Sequence, residues 1–267
     1  MFRSFKKLKA SLKVLAVACG IFAVASPAQA DLREILAAGK VRIGVPLDVP
    51  PFGFVDEKQQ PVGLDVDVAR MVAKALGVKL ELQQLTGANR IPFLLTDKID
   101  IIVSGLGATP ERAKQVAFSS PYSTIYIGVF GPKASTVKSA ADITTQTVGV
   151  QRGSSSDLVL TDLLPPARIK RFEDDATLNA AYIAKQVDLI GTASIILKHV
   201  AKQNPGLEVD TKFVIRHSPP HMAVRYGNPD LLRWIDTFIF YNLVSGDLNA
   251  LSLKWLDEPL PQPFPTL

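Results

Sequence analysis

The chain has 267 residues, 47% of them hydrophobic, with a formal net charge of +5 and a single cysteine. Arg3, Lys6, Lys7, Lys9 and Lys13 precede any acidic residue and carry that whole charge; the rest of the chain balances 25 basic against 25 acidic residues, which gives no compositional support to nucleic-acid binding. Cys19 lies in the same leader, so disulfides, thiolate chemistry and cysteine metal ligands are excluded from everything after it.

The basic start, the apolar run Val14 to Val24 and the small-x-small site Ala28-Gln29-Ala30 together read as a cleavable signal peptide over residues 1–30. That run is too short to span a bilayer. Ala16-Val17-Ala18-Cys19 loosely resembles a lipoprotein cleavage box that would lipidate Cys19, but apolar residues continue through Ala25 and ordinary cleavage after Ala30 is expected. The remaining 237 residues suit one large domain or two lobes, and none of their segments approaches eighteen uninterrupted apolar residues.

From Asp31 onward short β-type runs alternate with amphipathic stretches. Strands are expected at 41–45, 79–82, 99–103 and 126–130, and helices at 66–76, closed by Gly77, and at 91–95. A further helix should open at Thr109 as N-cap with Pro110 behind it. After Pro132 the pattern restarts, with strands at 147–150, 169–172 and 187–190 and helices at 155–163, 176–185 and 195–202. A strand at 221–225, a long helix at 230–243 and a last helix ending near Trp255 follow, and the proline-rich tail 259–267 should lie along the surface. Strand–helix alternation of this kind implies α/β sheets covered by helices.

In each half a strand runs into a small-residue turn and a helix start: Gly105-Leu106-Gly107-Ala108-Thr109 in the first, Gly153-Ser154-Ser155-Ser156 in the second. Such turns at the carboxyl ends of strands bind anions through free N–H groups, and two facing each other across a cleft would hold one small anion from both sides. Arg112 sits in the first turn of its helix, where the backbone field is already positive, so its placement there calls for a negative partner. Phe52 and Phe54 alternate in PPFGF and could line a cleft or belong to a core.

The stretches GKVRIGVPLDVPPFGF, PVGLDVDVARMVAKALGVKLEL, NRIPFLL, IDIIVSGLGATPERAKQVAFSSPY, VGVQRGSSSD, VDLIGT and KWL, in that order, resemble the extracytoplasmic substrate-binding proteins of polar amino-acid ABC transporters. The resemblance implies a periplasmic, two-lobed α/β protein of the type II binding-protein fold, each lobe a sheet flanked by helices. Lobe one would be formed by residues 31–125 and 219–267 and lobe two by 126–218, with two crossing segments as hinge. It implies capture of a small carboxylate, a polar amino acid above all, in the interlobe cleft, delivery to an ATPase-driven permease in the inner membrane, a monomer, and no cofactor or metal.

It also implies site residues. Arg112 would bind the ligand α-carboxylate, and the Gly105 carbonyl the ammonium. Gly107 stands where relatives commonly carry a hydroxyl. Ser154 and Ser155 would complete the carboxylate site, and Arg90 would reach a side-chain carboxylate, with solvation beyond a capping Asn89 as its alternative. This sequence departs from the pattern at three places: Ala193 replaces the acid that binds the ammonium, and Val49 and Gly87 replace cleft aromatics. Either Asp48 or another acid substitutes for the one missing at Ala193, or the ligand is not an ordinary α-amino acid; Asp65 is read as a cap of the 66–76 helix and Asp67 as internal to it. Asp174-Asp175 is read as a cap of the 176–185 helix. The competing reading is a periplasmic enzyme on the same fold, such as a cyclohexadienyl dehydratase, which needs a positioned acid that Ala193 removes. Pro110 fills the third glycine slot of a dinucleotide fingerprint, the prolines between His217 and His221 speak against a metal pair, and no G-x-S-x-G surrounds Ser154.

Overall fold

The structure is a computed structural model that describes residues 31–266; the expected signal peptide, the expected cut after Ala30 and Cys19 lie outside the described residues. In chain order the elements are α1 (Leu32–Ala38), β1 (Lys40–Val45), the short strands β2 (Asp48–Val49), β3 (Gly53–Val55) and β4 (Pro61–Val62), α2 (Leu64–Leu76), β5 (Lys79–Gln84), α3 (Arg90–Leu95), β6 (Ile101–Gly107), α4 (Pro110–Ala113) and β7 (Ala117–Pro121). Then follow β8 (Tyr126–Pro132), β9 (Val148–Gln151), α5 (Ser155–Leu163), β10 (Ile169–Phe172), α6 (Asp175–Ile183), β11 (Leu189–Ala193), α7 (Ser194–Gln203) and β12 (Val209–His217). The chain finishes with β13 (Pro220–Val224), α8 (Pro229–Val244) and α9 (Asp247–Leu256).

These strands form two five-stranded sheets, ordered β5-β1-β6-β13-β7 and β10-β9-β11-β8-β12, with a small β2-β3-β4 sheet beside the first. The first sheet takes its strands from both ends of the chain and the second from the middle, so the molecule is two-lobed. Alternation along β6 shows how each sheet is filled: Ile101 and Val103 enter the cluster under α2, α8 and α9, while Ile102 and Leu106 enter the opposite one with Leu85, Leu94 and Val116. The second sheet is likewise covered on both faces, by clusters around Leu160 and around Leu178.

Ile125, Ile127, Ala193, Ile195 and Ile196 join the large cluster of the first lobe, which makes the crossing region part of a continuous core. The tail is tied down as well: Leu260 is buried, Phe264 packs on that core, and Glu258 and Asp257 pair with Lys198 and Lys202 of α7. Among the described residues no helix is long and apolar enough to cross a membrane.

Candidate functional site

The carboxyl ends of β1, β5, β6, β9 and β11 converge on a cavity of about 70 Å³ between the lobes, where open α/β sheets place ligands. A single water needs roughly 10–15 Å³ by the same measure, so the space suits a ligand of several heavy atoms. The first lobe contributes Val49, Phe52, Gly87, Arg90 and the Ser104–Gly105 turn; the second contributes Gln151, the Ser154–Ser155 turn, Asp175 and Ala193. Ile125, Ile127 and Ile196 close the apolar side.

Arg112 stands just behind that wall. Thr109 caps the single turn of α4, accepting from the Arg112 N–H at 3.2 Å, and the guanidinium folds across the lobe boundary. Nη1 donates to the Gly107 carbonyl (2.7 Å) and to Ser155 Oγ (3.0 Å), and Nη2 donates to the Gly153 carbonyl (3.0 Å). All three acceptors are neutral, and no carboxylate of the described residues lies at ion-pair distance. Burial first, then the nearby Arg90 and Arg216 cations, push its pKa down to about 9. Arg216, which the sequence reading passed over, leaves Nε and Nη2 without partners.

The turn facing it is built by capping. Ser154 Oγ accepts from the Asp157 N–H at 3.0 Å, and an Asp157 oxygen takes the Gly153 N–H at 2.9 Å. The Ser154 hydroxyl is therefore engaged by its own helix, while Ser155 at the first helical position points its hydroxyl to Arg112. Gly107 lies off the cavity wall, with its carbonyl taken by Arg112. A Cβ at that position would press on Ser218 Oγ and lie 3.1 Å from Ser155 Oγ, so hydroxyls from the other lobe and the crossing segment already fill its slot. Gly105, at φ +54°, is on the wall and donates its N–H to Tyr122 Oη at 3.2 Å.

Tyr122 in turn donates to Asp65 Oδ1 at 2.7 Å, which corrects the reading of Asp65 as a cap. The backbone of Gly63 takes the N-cap position of α2, and Asp65 is fully buried behind the site, its pKa raised to about 7 by burial. Asp67 faces away, receiving Lys254 Nζ and Trp255 Nε1. Arg90 is buried rather than solvated: Nη1 donates to the Ser104 carbonyl at 3.0 Å and Nε has no partner. Phe52 lines the cavity, whereas Phe54 stands edge-on to Trp255, 6.1 Å away.

Two departures from the expected pattern have a structural account. Gly87 admits no side chain in this arrangement, because a Cβ would lie 2.5 Å from the Arg152 carbonyl and 2.8 Å from Gln151 Oε1, both of the second lobe. Ala193 does line the cavity, and the proposed substitute Asp48 does not. The acid on the wall is Asp175. Asp174 is the N-cap of α6, accepting from the Thr177 N–H at 2.7 Å, and the next residue turns into the cleft with 5% of its surface exposed. Burial first, then the Asp48 charge, raise its pKa to about 7, with Arg90 and a Gln151 hydrogen bond opposing. Its signal in the sequence was its place immediately after a cap residue, the same place Ser155 holds after Ser154.

A cleft between two sheets, with a small-residue turn from each side and a buried cation between them, is the geometry of a two-lobed ligand-binding protein. The particular family follows from comparison: the profile of the bacterial extracellular solute-binding proteins, family 3, matches residues 41–258, and the chain belongs to that family. It is 28% identical over 227 residues to the L-cystine-binding protein TcyJ of Escherichia coli K12, spanning 84% of this chain and 85% of that one. The solved solute receptor for L-cysteine of Neisseria gonorrhoeae superposes with a TM-score of 0.79 at 31% identity, over 85% of this chain and 94% of its own. The ancestral amino acid-binding protein AncCDT-1, described as a precursor of cyclohexadienyl dehydratase, superposes with a TM-score of 0.77 at 35% identity, over 84% and 99%.

Proposed function

We propose that the protein is the periplasmic amino-acid-capturing component of an ABC importer, exported by its leader, acting without catalysis and handing its ligand to an inner-membrane permease. The observation that carries this reading is Arg112, a buried cation held by neutral acceptors of both lobes beside the cavity. A desolvated guanidinium near other cations is costly unless an anion joins it, and its planar fork fits a carboxylate with two parallel bonds. The first lobe, from residues 31–125 and 219–267, would hold the ligand first. Closure of the 126–218 lobe would then bring the Ser154–Ser155 turn onto the same carboxylate and present the closed shape to the permease. Relatives that bind cystine, cysteine and other amino acids support the same class of ligand.

Isothermal titration calorimetry against the twenty standard amino acids and L-cystine tests the reading. Arg112→Ala should weaken binding by about 2–5 kcal/mol, and Arg112→Lys should restore it only in part, since an ammonium lacks the fork. An unchanged dissociation constant in Arg112→Ala refutes the assignment.

One observation favours a second reading, an enzyme: Asp175 gives the cleft a protonatable acid despite Ala193, and AncCDT-1 stands at the origin of a dehydratase. Incubation with prephenate or arogenate separates the two. Turnover establishes the enzyme, and stoichiometric uptake without product establishes the carrier.

A further inference from the structure

The cavity brings opposite charges to different places. Asp175 and the Ser154–Ser155 turn follow the hydrogen-bonded neighbours β10 and β9, paired in register through Phe172 and Gln151, so the two turns lie side by side at one end of the second sheet. One turn meets Arg112; the other presents a carboxylate that is 95% buried by its 5% exposure. Arg90 lines the same cavity from the first lobe, 91% buried, yet its guanidinium bonds to the Ser104 carbonyl, its Nε is unpartnered, and it makes no ion pair with Asp175. Asp175 is thus a buried acid on the wall with a side-chain amide, Gln151, as its hydrogen-bond neighbour.

We infer that Asp175 is the receptor for the ligand's α-ammonium, replacing the acid missing at Ala193, and that it makes the site select an amino acid over the same carboxylate without its amine. The inference rests on the Arg112 reading for the other end of the ligand. An ammonium placed between Asp175 and the Gly105 turn gives the acid the direct ion pair that Arg90, whose charge acts on it without contact, does not make, and a zwitterion spans the two turns without adding net charge to the cleft. A ligand with no amine leaves Asp175 buried and unpaired, which is the stronger penalty. Asp48 and Asp174 stand next to Asp175 and deepen the negative potential there, while Ala193 supplies only the space. The same burial that raises the Asp175 pKa makes its neutral amide an acceptable occupant of the site.

The test is calorimetry on the wild-type protein, Asp175→Asn and Arg112→Ala, using every standard amino acid and L-cystine, and for each binder its des-amino acid. Wild type should prefer the amino acid by about 100-fold or more. Asp175→Asn should lower amino-acid affinity by at least about 30-fold while moving the des-amino acid by less than about threefold, collapsing the ratio. Arg112→Ala should weaken both compounds alike, so absolute affinity reports on Arg112 and the ratio reports on Asp175. Asp175→Ser reads the same ratio should the amide fail to fold, as judged by thermal unfolding. The inference is overturned if Asp175→Asn keeps the ratio, if it weakens both compounds equally, or if no amino acid binds the wild type.

Discussion

The turns that open α5 and α6 are built alike and differ in what they offer the cleft. In the first, Ser154 caps the helix and Ser155 turns its hydroxyl to Arg112; in the second, Asp174 caps and Asp175 turns into the cavity. A cap residue is already engaged by the backbone N–H two or three positions on, so it has little left for a ligand. The next residue has a first-turn position, no duty to the helix and a view over the end of the sheet. On each turn the residue that faces the site sits one past the cap, a neutral acceptor in one case and an acid in the other.

Several measurements would sharpen or break that contrast. Gly87 lies against the strand end that leads into the serine turn, and Gly87→Trp should prevent closure onto it, weakening amino-acid binding by at least about tenfold with little change in thermal stability, because the closed state alone is penalised. Tight binding by that variant would show that the turn reaches the ligand without this closure.

The acid turn should also differ in its pH response. Asp175 has a folded-state pKa of about 7, above its unfolded value of about 3.9, so the folded protein holds a proton that the unfolded chain has lost between about pH 4 and 7. Its contribution to stability is fully present below that window and lost as the pH rises through 7. Asp175→Asn removes this loss, and its stability relative to wild type, measured by urea unfolding without ligand, should climb from pH 4 to 7 and then level. A flat difference would mean that Asp175 is solvated. Asp65, held by Tyr122 behind the site, should give the same sign in its own amide variant.

The smallest effects should come from the caps. Ser154→Ala and Asp174→Ala should each cost about 1 kcal/mol of stability and leave the dissociation constant within about twofold. A large loss of affinity in either would move function back onto the cap.

Much of this architecture was legible in the sequence because the segments concerned carry their own signals. Helix α2 shows both its periodicity and the closing Gly77, α5 matches its expected span, and the lobe sheets follow apolar runs. What was missed depends on partners. Strand β12 carries irregularities between Thr211 and Phe213 and between Val214 and Arg216, which break the period-2 alternation. Strand β6 runs on to Gly107 because β13 pairs with its end, and the helix after Pro110 stops after one turn as the chain enters β7.

At the site, Arg112 was readable because a cation in a first turn opposes the local field. Asp175 was hidden because acids are ordinary at helix starts, and only the packing of α6 against β2 and the neighbouring turn shows that this one is buried. Gly87 and Gly107 were read as absences, whereas each marks a close approach of chain from elsewhere.

In the proposed mechanism Arg112 exchanges its neutral acceptors for a ligand carboxylate. A crystal structure of the protein with a bound amino acid tests it directly. The expected result is a carboxylate about 2.7–2.9 Å from two Arg112 nitrogens, with the Ser155 turn completing the contact. An amino acid seated in the cavity with its carboxylate elsewhere, and Arg112 still bonded to Gly107, Ser155 and Gly153, would contradict it.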